Sequence, residues 1–271
     1  MAITTRDDES PAFWRRFPFD DLVQRVATLH AERNQWNQKF LSSQIEIARL
    51  AVSSMLLPSG ADGIEVGAGA RPFPLPAGVT CFYGDHLDHD GLVKYFNSDI
   101  DHHNGFIDAE SFTGIAQSSA DFVVMAHVIE HLQNPLGSIQ AAIGVLKPGG
   151  VLIMAAPDRR HTFDRRRPGT TLDHILKDFA DGGRSTRKMA YLEHLRFVYP
   201  ELTGNTFTEA EIEQHAEQST ALSKSPDCHF HAWNDVEFRG LCEYAAAAFG
   251  ALMVGSIFVV NENIAAMRKL P

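Results

Sequence analysis

Two closely spaced glycines follow a short apolar stretch in the sequence IEVGAG at residues 64–69. A strand that ends in such a loop places its glycines at the carboxyl edge of a sheet, where glycine lets the backbone approach a ligand closely. The candidate ligand-binding residues here are Glu65, Gly67, Ala68 and Gly69. Because a plain strand-to-loop turn has the same composition, the motif alone does not distinguish a binding loop from a turn.

A carboxylate lies where a ribose-binding residue is expected. Asp85 follows the glycines by about 20 residues, at the end of the second predicted strand, where it can accept hydrogen bonds from both ribose hydroxyls. That position suits NAD as well as S-adenosylmethionine. NAD also needs a helix N-terminus for its diphosphate, and the sequence ARPFPLP at 70–76, with Pro72 at the place of a third glycine, predicts no such helix. His86 is a further candidate contact for the ribose or the adenine.

A second carboxylate precedes the strand predicted at 121–125. Asp108 can accept a hydrogen bond from an adenine amino group. A solvated loop acid or a helix N-cap explains the same residue equally well.

The elements that must position these residues alternate along the chain. Strands are predicted at 63–66, 80–83, 121–125 and 151–156. An amphipathic helix over 135–146 lies between the last two strands, and the sequence KPGG ends it. This order predicts right-handed crossovers and a parallel sheet.

The regions outside this core read differently. One or two helices are predicted over 20–57, and the segment 159–235 lacks strand periodicity and reads as a largely helical insertion or lid. A helix over 235–249 then precedes a hairpin that turns at 261–263. The predicted division is into an N-terminal helical cap (1–57), a ligand-binding core (58–160), a helical insertion or lid (161–234) and a C-terminal completion of the core (235–271).

The N-terminal helical region carries large aromatic residues, Trp14, Trp36 and Phe40. We expect this helical region to pack as a cap over the ligand site at the glycine loop. A dimer interface is the alternative, so a homodimer remains open.

Composition restricts the partners. The net charge of −10 disfavours a nucleic-acid ligand, because neutralising phosphates needs clustered Lys and Arg. Three cysteines at no regular spacing indicate a reducing compartment. With no signal-peptide pattern and no apolar run of membrane-spanning length, we expect a cytoplasmic protein without a membrane span.

The sequence ADFVVMAHVIEHLQNPLGSIQAAIGVLKPGGVLIMAAPD, residues 120–158, resembles the strand-helix-strand signature of class I S-adenosylmethionine-dependent methyltransferases. The matching features are Asp121, His127, the Glu-His-Leu at 130–132 and the Leu-Lys-Pro-Gly-Gly at 146–150. Together with the glycine loop, Asp85 and Asp108, the resemblance covers about residues 62–158. It implies a doubly wound, Rossmann-like α/β fold, with a seven-stranded sheet that ends in an antiparallel hairpin.

The resemblance also implies the ligands. S-adenosylmethionine would be the methyl donor and S-adenosylhomocysteine the product. The implied donor contacts are Glu65 and Gly67 near the methionine moiety, Asp85 at the ribose, Asp108 with Ala109 at the adenine, and His127 beside the methionine part. Many family members have a third glycine at the place of Arg71, so this loop departs from the usual pattern.

Four further stretches extend the resemblance to a narrower bacterial methyltransferase group. They are EVGAGARPFPLP, YGDHLDHDGL, PDRRHTFDRRRPGTTLDHIL and HFHAWNDVEF. The group is often linked with glycosyltransferases and with surface-glycan or secondary-metabolite pathways. The resemblance therefore implies a small-molecule or glycan-type acceptor.

Two groups of residues are candidates for acting on that acceptor. Asp158 and His161 directly follow the strand predicted at 151–156, and His161 is a candidate general base. The alternating pair His229 and His231 would point both rings the same way from an extended segment and could hold an acceptor or a metal. His161, His194 and Asp158 are the possible third ligands, but none of them is singled out by spacing, so no metal site is predicted.

Other polar and aromatic residues lie near these groups in the sequence. Arg165, Arg166 and Arg167 could clamp an anionic acceptor, although pairing with the many acids of the chain is the favoured interpretation. Asp227 lies close to the histidine pair, and Trp233 offers a flat face for a sugar or an aromatic ring.

The sequence thus predicts methyl transfer to an oxygen of a small molecule or glycan. The alternatives are N-methylation, a nucleotide-dependent oxidoreductase on the same sheet, and a non-catalytic binding module that retains the fold.

Overall fold

The structure is a computed structural model that describes residues 19–222 and 228–271, with side-chain environments from residue 23 onward. The predictions for Trp14 and Asp227 lie outside the described residues. The chain divides into two compact units, residues 1–45 and 46–271.

The helices and strands have the following bounds. The helices are α1 (Phe19–Leu56), α2 (His89–Phe96), α3 (Pro135–Val145), α4 (Leu172–Asp181), α5 (Arg187–Glu193), α6 (Tyr199–Thr203), α7 (Glu209–Ala221) and α8 (Asp235–Ala248). The strands are β1 (Asp62–Val66), β2 (Thr80–Asp85), β3 (Gly105–Phe106), β4 (Ala120–Ala126), β5 (Leu146–Pro157), β6 (Ala251–Val259) and β7 (Glu262–Lys269). Short 3₁₀ turns cover Ile129–His131, Arg159–His161 and Phe163–Arg166, and a π-helical turn covers His194–Val198.

The strands form one seven-stranded sheet in the order β3-β2-β1-β4-β5-β7-β6. The first five are parallel, and β7 pairs antiparallel with both β5 and β6. The predicted parallel sheet with a terminal hairpin is confirmed. The strand order reverses between β1 and β4, so the crevice at the carboxyl ends of these strands is the expected ligand site of the fold.

The C-terminal hairpin turns earlier than the sequence indicates. Strand β6 ends at Val259 and β7 begins at Glu262, so the turn consists of Val260 and Asn261. Val260 has φ +58, a left-handed conformation that a β-branched residue seldom adopts. Asn263, predicted in the turn, is buried within β7.

Successive residues of the central strands pack into two different cores, as the alternation of a pleated strand requires. On one face, Val123 and Met125 of β4 join the helices α3 and α8. On the other face, Phe122 and Val124 of β4 pack with the loop after β1 and with the end of α1. Parallel strands that are buried on both faces are therefore apolar throughout.

The connection from β1 to β2 contains no helix. Residues 67–79 form turns and irregular chain, in agreement with the prolines of 70–76. The sheet face that a crossover helix would cover instead receives Phe73 from this loop and Ala48, Val52 and Leu56 from α1. The absence of a helix after β1 removes the diphosphate site that NAD would need.

The insertion after β5 is helical, as predicted. Its described part contains α4 to α7 and no named strand. The helix α8 begins where the sequence predicted, because Asn234 and Glu237 form a capping box at its first turn.

The unit of residues 1–45 has helical backbone over its described part, with Trp36 and Phe40 exposed. Its predicted role as a cap remains a prediction. Within the described residues, no helix combines the length and the apolar composition needed to cross a membrane.

Candidate active site

The loop after β1 contains two glycines that other residues cannot replace without strain. Gly67 has φ +72 and Gly69 has φ +54. A Cβ atom on Gly67 would lie 2.6 Å from Cγ2 of Val128. A Cβ atom on Gly69 would lie 2.5 Å from the ring of Phe96. The backbone is thus closely packed at the carboxyl end of β1.

The remainder of the loop is fastened by its own backbone. Gly67 N–H donates to the carbonyl of Gly84 in β2 at 2.9 Å. Arg71 N–H donates to the carbonyl of Ala68 at 3.1 Å, which closes a turn at the place of the absent third glycine. Ala68 is half-buried.

Glu65 lies beneath this loop. The side chain is fully buried, and both carboxylate oxygens accept the N–H of Phe73, at 2.8 and 3.0 Å. The expectation of a direct contact with the methionine moiety is therefore corrected, because a carboxylate without accessible surface can hold the loop but cannot reach a ligand in the crevice. Burial raises the pKa of Glu65 to about 7, although the Phe73 N–H and the charge of Arg49 act in the opposite direction.

This raised pKa predicts a pH-dependent stability. The folded chain disfavours the charged form of Glu65. The contribution of this residue to the stability of the fold is therefore present near pH 4.5 and is lost as the pH rises through about 7. As the pH rises through this interval, the free energy of unfolding of the variant Glu65→Gln should increase relative to that of the wild type, by up to about 3 kcal/mol. Urea unfolding at several pH values measures it. The exposed Glu243→Gln is the control, and parallel curves for Glu65→Gln and the wild type would contradict the assignment.

Asp85 ends β2 and faces the same edge of the sheet. The N–H of Leu87 at 3.0 Å and the ring of His86 at 2.9 Å both bind its Oδ1. Burial opposes ionisation, but the hydrogen bonds from His86 and Leu87 keep the pKa of Asp85 below its ordinary value. The side chain of His86 is 64% exposed beside it. This pair can therefore accept hydrogen bonds from a ribose.

Asp108 holds its own loop. One oxygen accepts the N–H of Glu110 at 3.1 Å, and the other accepts the hydroxyl of Ser111 at 2.6 Å. Ala109 follows, and its carbonyl accepts the hydroxyl of Ser138. Both residues are half-buried. The local bonds match the turn-forming reading of Asp108, and the contact with adenine remains a prediction.

His127 is the first residue after β4 and has φ +55. Its ring contacts two buried carboxylates, Glu262 at 2.7 Å from Nε2 and Glu130 at 3.5 Å from Nδ1. Burial alone would lower the pKa of His127, but these two acids raise it to about 9. The ring is consequently charged at neutral pH, which suits contact with an anion such as a ligand carboxylate and not removal of a proton.

Glu262 connects this histidine to α1. Nε of Arg49 donates to Glu262 Oε2 at 3.0 Å, and the second guanidinium nitrogen pairs with Oε1. Burial opposes ionisation of Glu262, yet His127 and Arg49 hold its pKa below the ordinary value. The sequence analysis did not identify Arg49 or Glu262. Because 213 positions separate Arg49 from Glu262, no local pattern links them. The one available signal was that an acidic residue, Glu262, begins the apolar strand β7.

The two candidates after β5 differ in accessibility. Asp158 is fully buried, and its oxygens bind the side chain of Arg160 at 2.9 and 2.6 Å. It also caps the turn that carries His161, whose N–H donates to the Asp158 carbonyl at 2.9 Å. The imidazole of His161 is exposed, 5.4 Å from the ring of Phe258. The catalytic role considered for Asp158 is therefore corrected to one of positioning.

The arginines of the insertion are paired with acids. Arg165 and Arg166 both bind Glu201, the latter at 2.8 Å. Arg167 is buried and binds Asp164 at 3.1 Å. This is the interpretation favoured from the sequence, except that Arg167 is interior and not solvated.

The histidine pair of the insertion is divided between two carboxylates. Nδ1 of His229 binds Asp164 at 2.6 Å, whereas Nε2 of His231 binds Asp178 at 2.8 Å. The expected joint action of both rings on one ligand is not found in this arrangement. Trp233 is also buried, and it stacks on His231 at 5.5 Å, so it offers no face to a sugar.

The fold and the loop geometry agree with the family to which the sequence can be assigned. The chain matches a family described as a methyltransferase domain over residues 35–219, which is more than half of its length. The chain belongs to this family. It is a class I S-adenosylmethionine-dependent methyltransferase, and S-adenosylmethionine is its cofactor.

Several solved structures resemble the chain in fold. An S-adenosylmethionine-dependent methyltransferase from Thermotoga maritima is 16% identical, with 87% of this chain and 95% of that chain covered and a TM-score of 0.45. One from Aquifex aeolicus is 12% identical, with 81% and 88% covered and a TM-score of 0.44. A Rhodobacter sphaeroides protein described as a Zn-dependent alcohol dehydrogenase is 12% identical, with 80% and 86% covered and a TM-score of 0.48. These likenesses do not bear on function. No significant match occurs among curated proteins.

Proposed function

We propose that the enzyme transfers the methyl group to a hydroxyl oxygen of a small-molecule or glycan-type acceptor. The observation that supports this most is the exposed imidazole of His161 at the carboxyl end of β5. It is available to a hydroxyl at the edge of the sheet that also carries the glycine loop. The other candidates, His229 and His231, are buried against carboxylates.

The donor would lie across the ends of β1 and β2. Gly67 and Gly69 would allow close approach of its methionine part, and Asp85 would accept the ribose hydroxyls. His127, positively charged at neutral pH, would pair with the donor carboxylate. Asp108 with Ala109 would face the adenine. Bound in this way, S-adenosylmethionine supplies a methyl group that is already activated by its sulfonium.

The residues of the chain then have little chemistry to perform. The donor would supply its methyl group to the acceptor oxygen, and the electron pair of the broken carbon–sulfur bond would remain on sulfur. The hydroxyl proton passes to a ring nitrogen of His161, which the buried Asp158 holds in position. Alignment of oxygen, carbon and sulfur supplies the rest of the rate.

A neutral acceptor fits the charges of the insertion. Arg165, Arg166 and Arg167 are each paired with a carboxylate, so a phosphate or carboxylate on the acceptor would have to displace an existing ion pair. This favours hydroxyl-bearing sugars and phenols over phosphorylated compounds.

Product analysis tests the proposal. The full chain is incubated with S-adenosylmethionine and a panel of free sugars, alkyl glycosides, phenols and primary amines, and the products are identified by mass spectrometry and NMR. We expect O-methyl products from hydroxyl-bearing acceptors. Methylation of amines alone would establish N-methylation, and donor binding without turnover of any acceptor would favour a non-catalytic module.

A further inference from the structure

A buried carboxylate in the turn after β4 has no hydrogen bond to its side-chain oxygens. Glu130 is 1% exposed, and neither side-chain oxygen has a hydrogen-bond partner among the described residues. Its ionic contact with Nδ1 of His127 is 3.5 Å long. An ionised carboxylate in the interior is costly unless a cation or several donors compensate it. The charged ring of His127 compensates this carboxylate only in part, because it lies 3.5 Å away and also binds Glu262 at 2.7 Å, so the position retains the chemistry of a cation ligand.

Two imidazoles complete the surroundings of this carboxylate. One ligand atom each from Glu130, His131 and His229 lie within 4.8 Å of one another. Glu130 and His131 come from the 3₁₀ turn that follows β4. His229 comes from the segment before α8, and the backbone fastens that segment because His231 N–H donates to the Glu130 carbonyl at 3.1 Å.

The ring of His229 is held in the manner of a metal ligand. Its Nδ1 binds Asp164 at 2.6 Å, and Asp164 in turn accepts a hydrogen bond from Arg167 at 3.1 Å. Metal-ligating histidines commonly donate their second nitrogen to such a carboxylate, which fixes the tautomer and the orientation of the ring. Nε2 of His229 is thereby left to face the group.

A second group of two histidines and one carboxylate differs, because its carboxylate already has hydrogen-bond partners. His174, Asp178 and His231 also bring three ligand atoms within 4.8 Å. Here, however, the carboxylate of Asp178 already binds Nε2 of His231 at 2.8 Å, Nε2 of His174 at 3.2 Å and the hydroxyl of Thr186. Nδ1 of His231 is buried without a hydrogen bond among the described atoms, but the carboxylate of the group has three partners within hydrogen-bonding distance.

We propose that Glu130, His131 and His229 bind one divalent transition-metal ion, with Zn²⁺ as the representative ion. Two imidazole nitrogens and one carboxylate oxygen suit Zn²⁺, Fe²⁺ or Mn²⁺, whereas Mg²⁺ and Ca²⁺ prefer oxygen ligands throughout. Three protein ligands leave a coordination position open. His131 is half-buried, so the open position faces the accessible side of the group.

The location gives the ion a role beside the donor crevice. The 3₁₀ turn follows β4, whose neighbour β1 carries the glycine loop. An acceptor hydroxyl at the open position would be acidified by the ion and held for attack on the methyl carbon. This role rests on the proposed function, but binding of the ion does not.

Metal binding to the full chain tests the proposal. The protein is stripped with a chelator, dialysed, and titrated with Zn²⁺ by calorimetry and with Co²⁺ by visible absorption. We expect one ion per chain. Glu130→Gln and His229→Gln should each weaken binding at least tenfold and change the Co²⁺ spectrum. His174→Gln, which removes a nitrogen from the second group, should leave both readouts unchanged.

The outcomes are separable. Absence of stoichiometric binding to the wild type, or loss of binding in His174→Gln with retention in Glu130→Gln, would overturn the assignment. If Glu130→Gln fails to fold by circular dichroism, His131→Gln, at the half-buried position, provides the same comparison. Because neither donor nor acceptor is present in these titrations, an error in the proposed acceptor would leave their result untouched.

Discussion

The variant His161→Gln is expected to lose at least about 100-fold in kcat with a hydroxyl acceptor, while its affinity for S-adenosylhomocysteine stays that of the wild type. General-base catalysis by a positioned side chain contributes roughly 10²- to 10⁴-fold. His161 is exposed at the end of β5, and its removal leaves the glycine loop and Asp85 intact. Steady-state kinetics with calorimetric donor binding measures both quantities.

Two controls distinguish proton transfer from a structural effect. His102→Gln replaces another exposed histidine, which precedes β3, and should retain full activity. In His161→Ala, added imidazole should restore part of the lost kcat, since a free base can occupy the vacated space. A wild-type kcat in His161→Gln, or a loss of donor affinity equal to the loss of kcat, would remove His161 from the catalytic role.

The second large effect is expected at the glycine loop. Gly67→Ala places a side chain at φ +72 and brings its Cβ to 2.6 Å from Val128 Cγ2. The left-handed backbone costs roughly 1–2 kcal/mol, and the contact adds to it because the loop must move to relieve it. Since about 1.4 kcal/mol corresponds to a tenfold change, we expect binding of S-adenosylhomocysteine to weaken by about 10- to 100-fold.

The insertion offers a matched control for this variant. Gly204 has φ +73, and no atom lies within 4 Å of the position of its Cβ. Gly204→Ala therefore introduces the same backbone strain without a contact and should lower the thermal midpoint only. Adding Val128→Ala to Gly67→Ala removes the contacting methyl and should recover part of the affinity. Wild-type affinity in Gly67→Ala would show that the loop does not form the donor site.

The sequence identifies those parts of the fold that depend on local pattern. The apolar runs that became β1, β4 and β5 are visible because strands buried on both faces contain few polar residues. The missing helix after β1 is visible because proline cannot continue one. The two-residue strand β3 is too short to carry a pattern, and it was not predicted.

Pairs of distant residues determine what the sequence could not give. Arg167 lies in a run of charged residues, yet it is buried and binds Glu193 at 3.1 Å as well as Asp164. Asp158 is also buried, where it caps the turn that carries His161. Glu65 looks like a ligand contact, and only its bond to Phe73 shows that it supports the loop. The division of His229 from His231 likewise depends on Asp164 and Asp178, 65 and 53 positions away.

The charged residues near β4, of which Arg49 and Glu262 are buried, illustrate why such sites need the fold. Arg49, Glu262 and His127 form a chain of alternating charge from α1 to the end of β4. Each member taken alone would be expensive to bury, and the alternation compensates this cost. The three residues do not share one motif, so periodicity and spacing do not predict that they come together.

The most direct test of the donor crevice is a calorimetric titration of the full chain with S-adenosylhomocysteine and, in parallel, with NAD⁺. The crevice has glycines at the end of β1 and a carboxylate at the end of β2, without a helix N-terminus between them. We expect it to bind S-adenosylhomocysteine at one site, with a Kd in roughly the micromolar range. We expect no measurable heat with NAD⁺. Tighter binding of NAD⁺, or absence of binding by S-adenosylhomocysteine, would contradict the account.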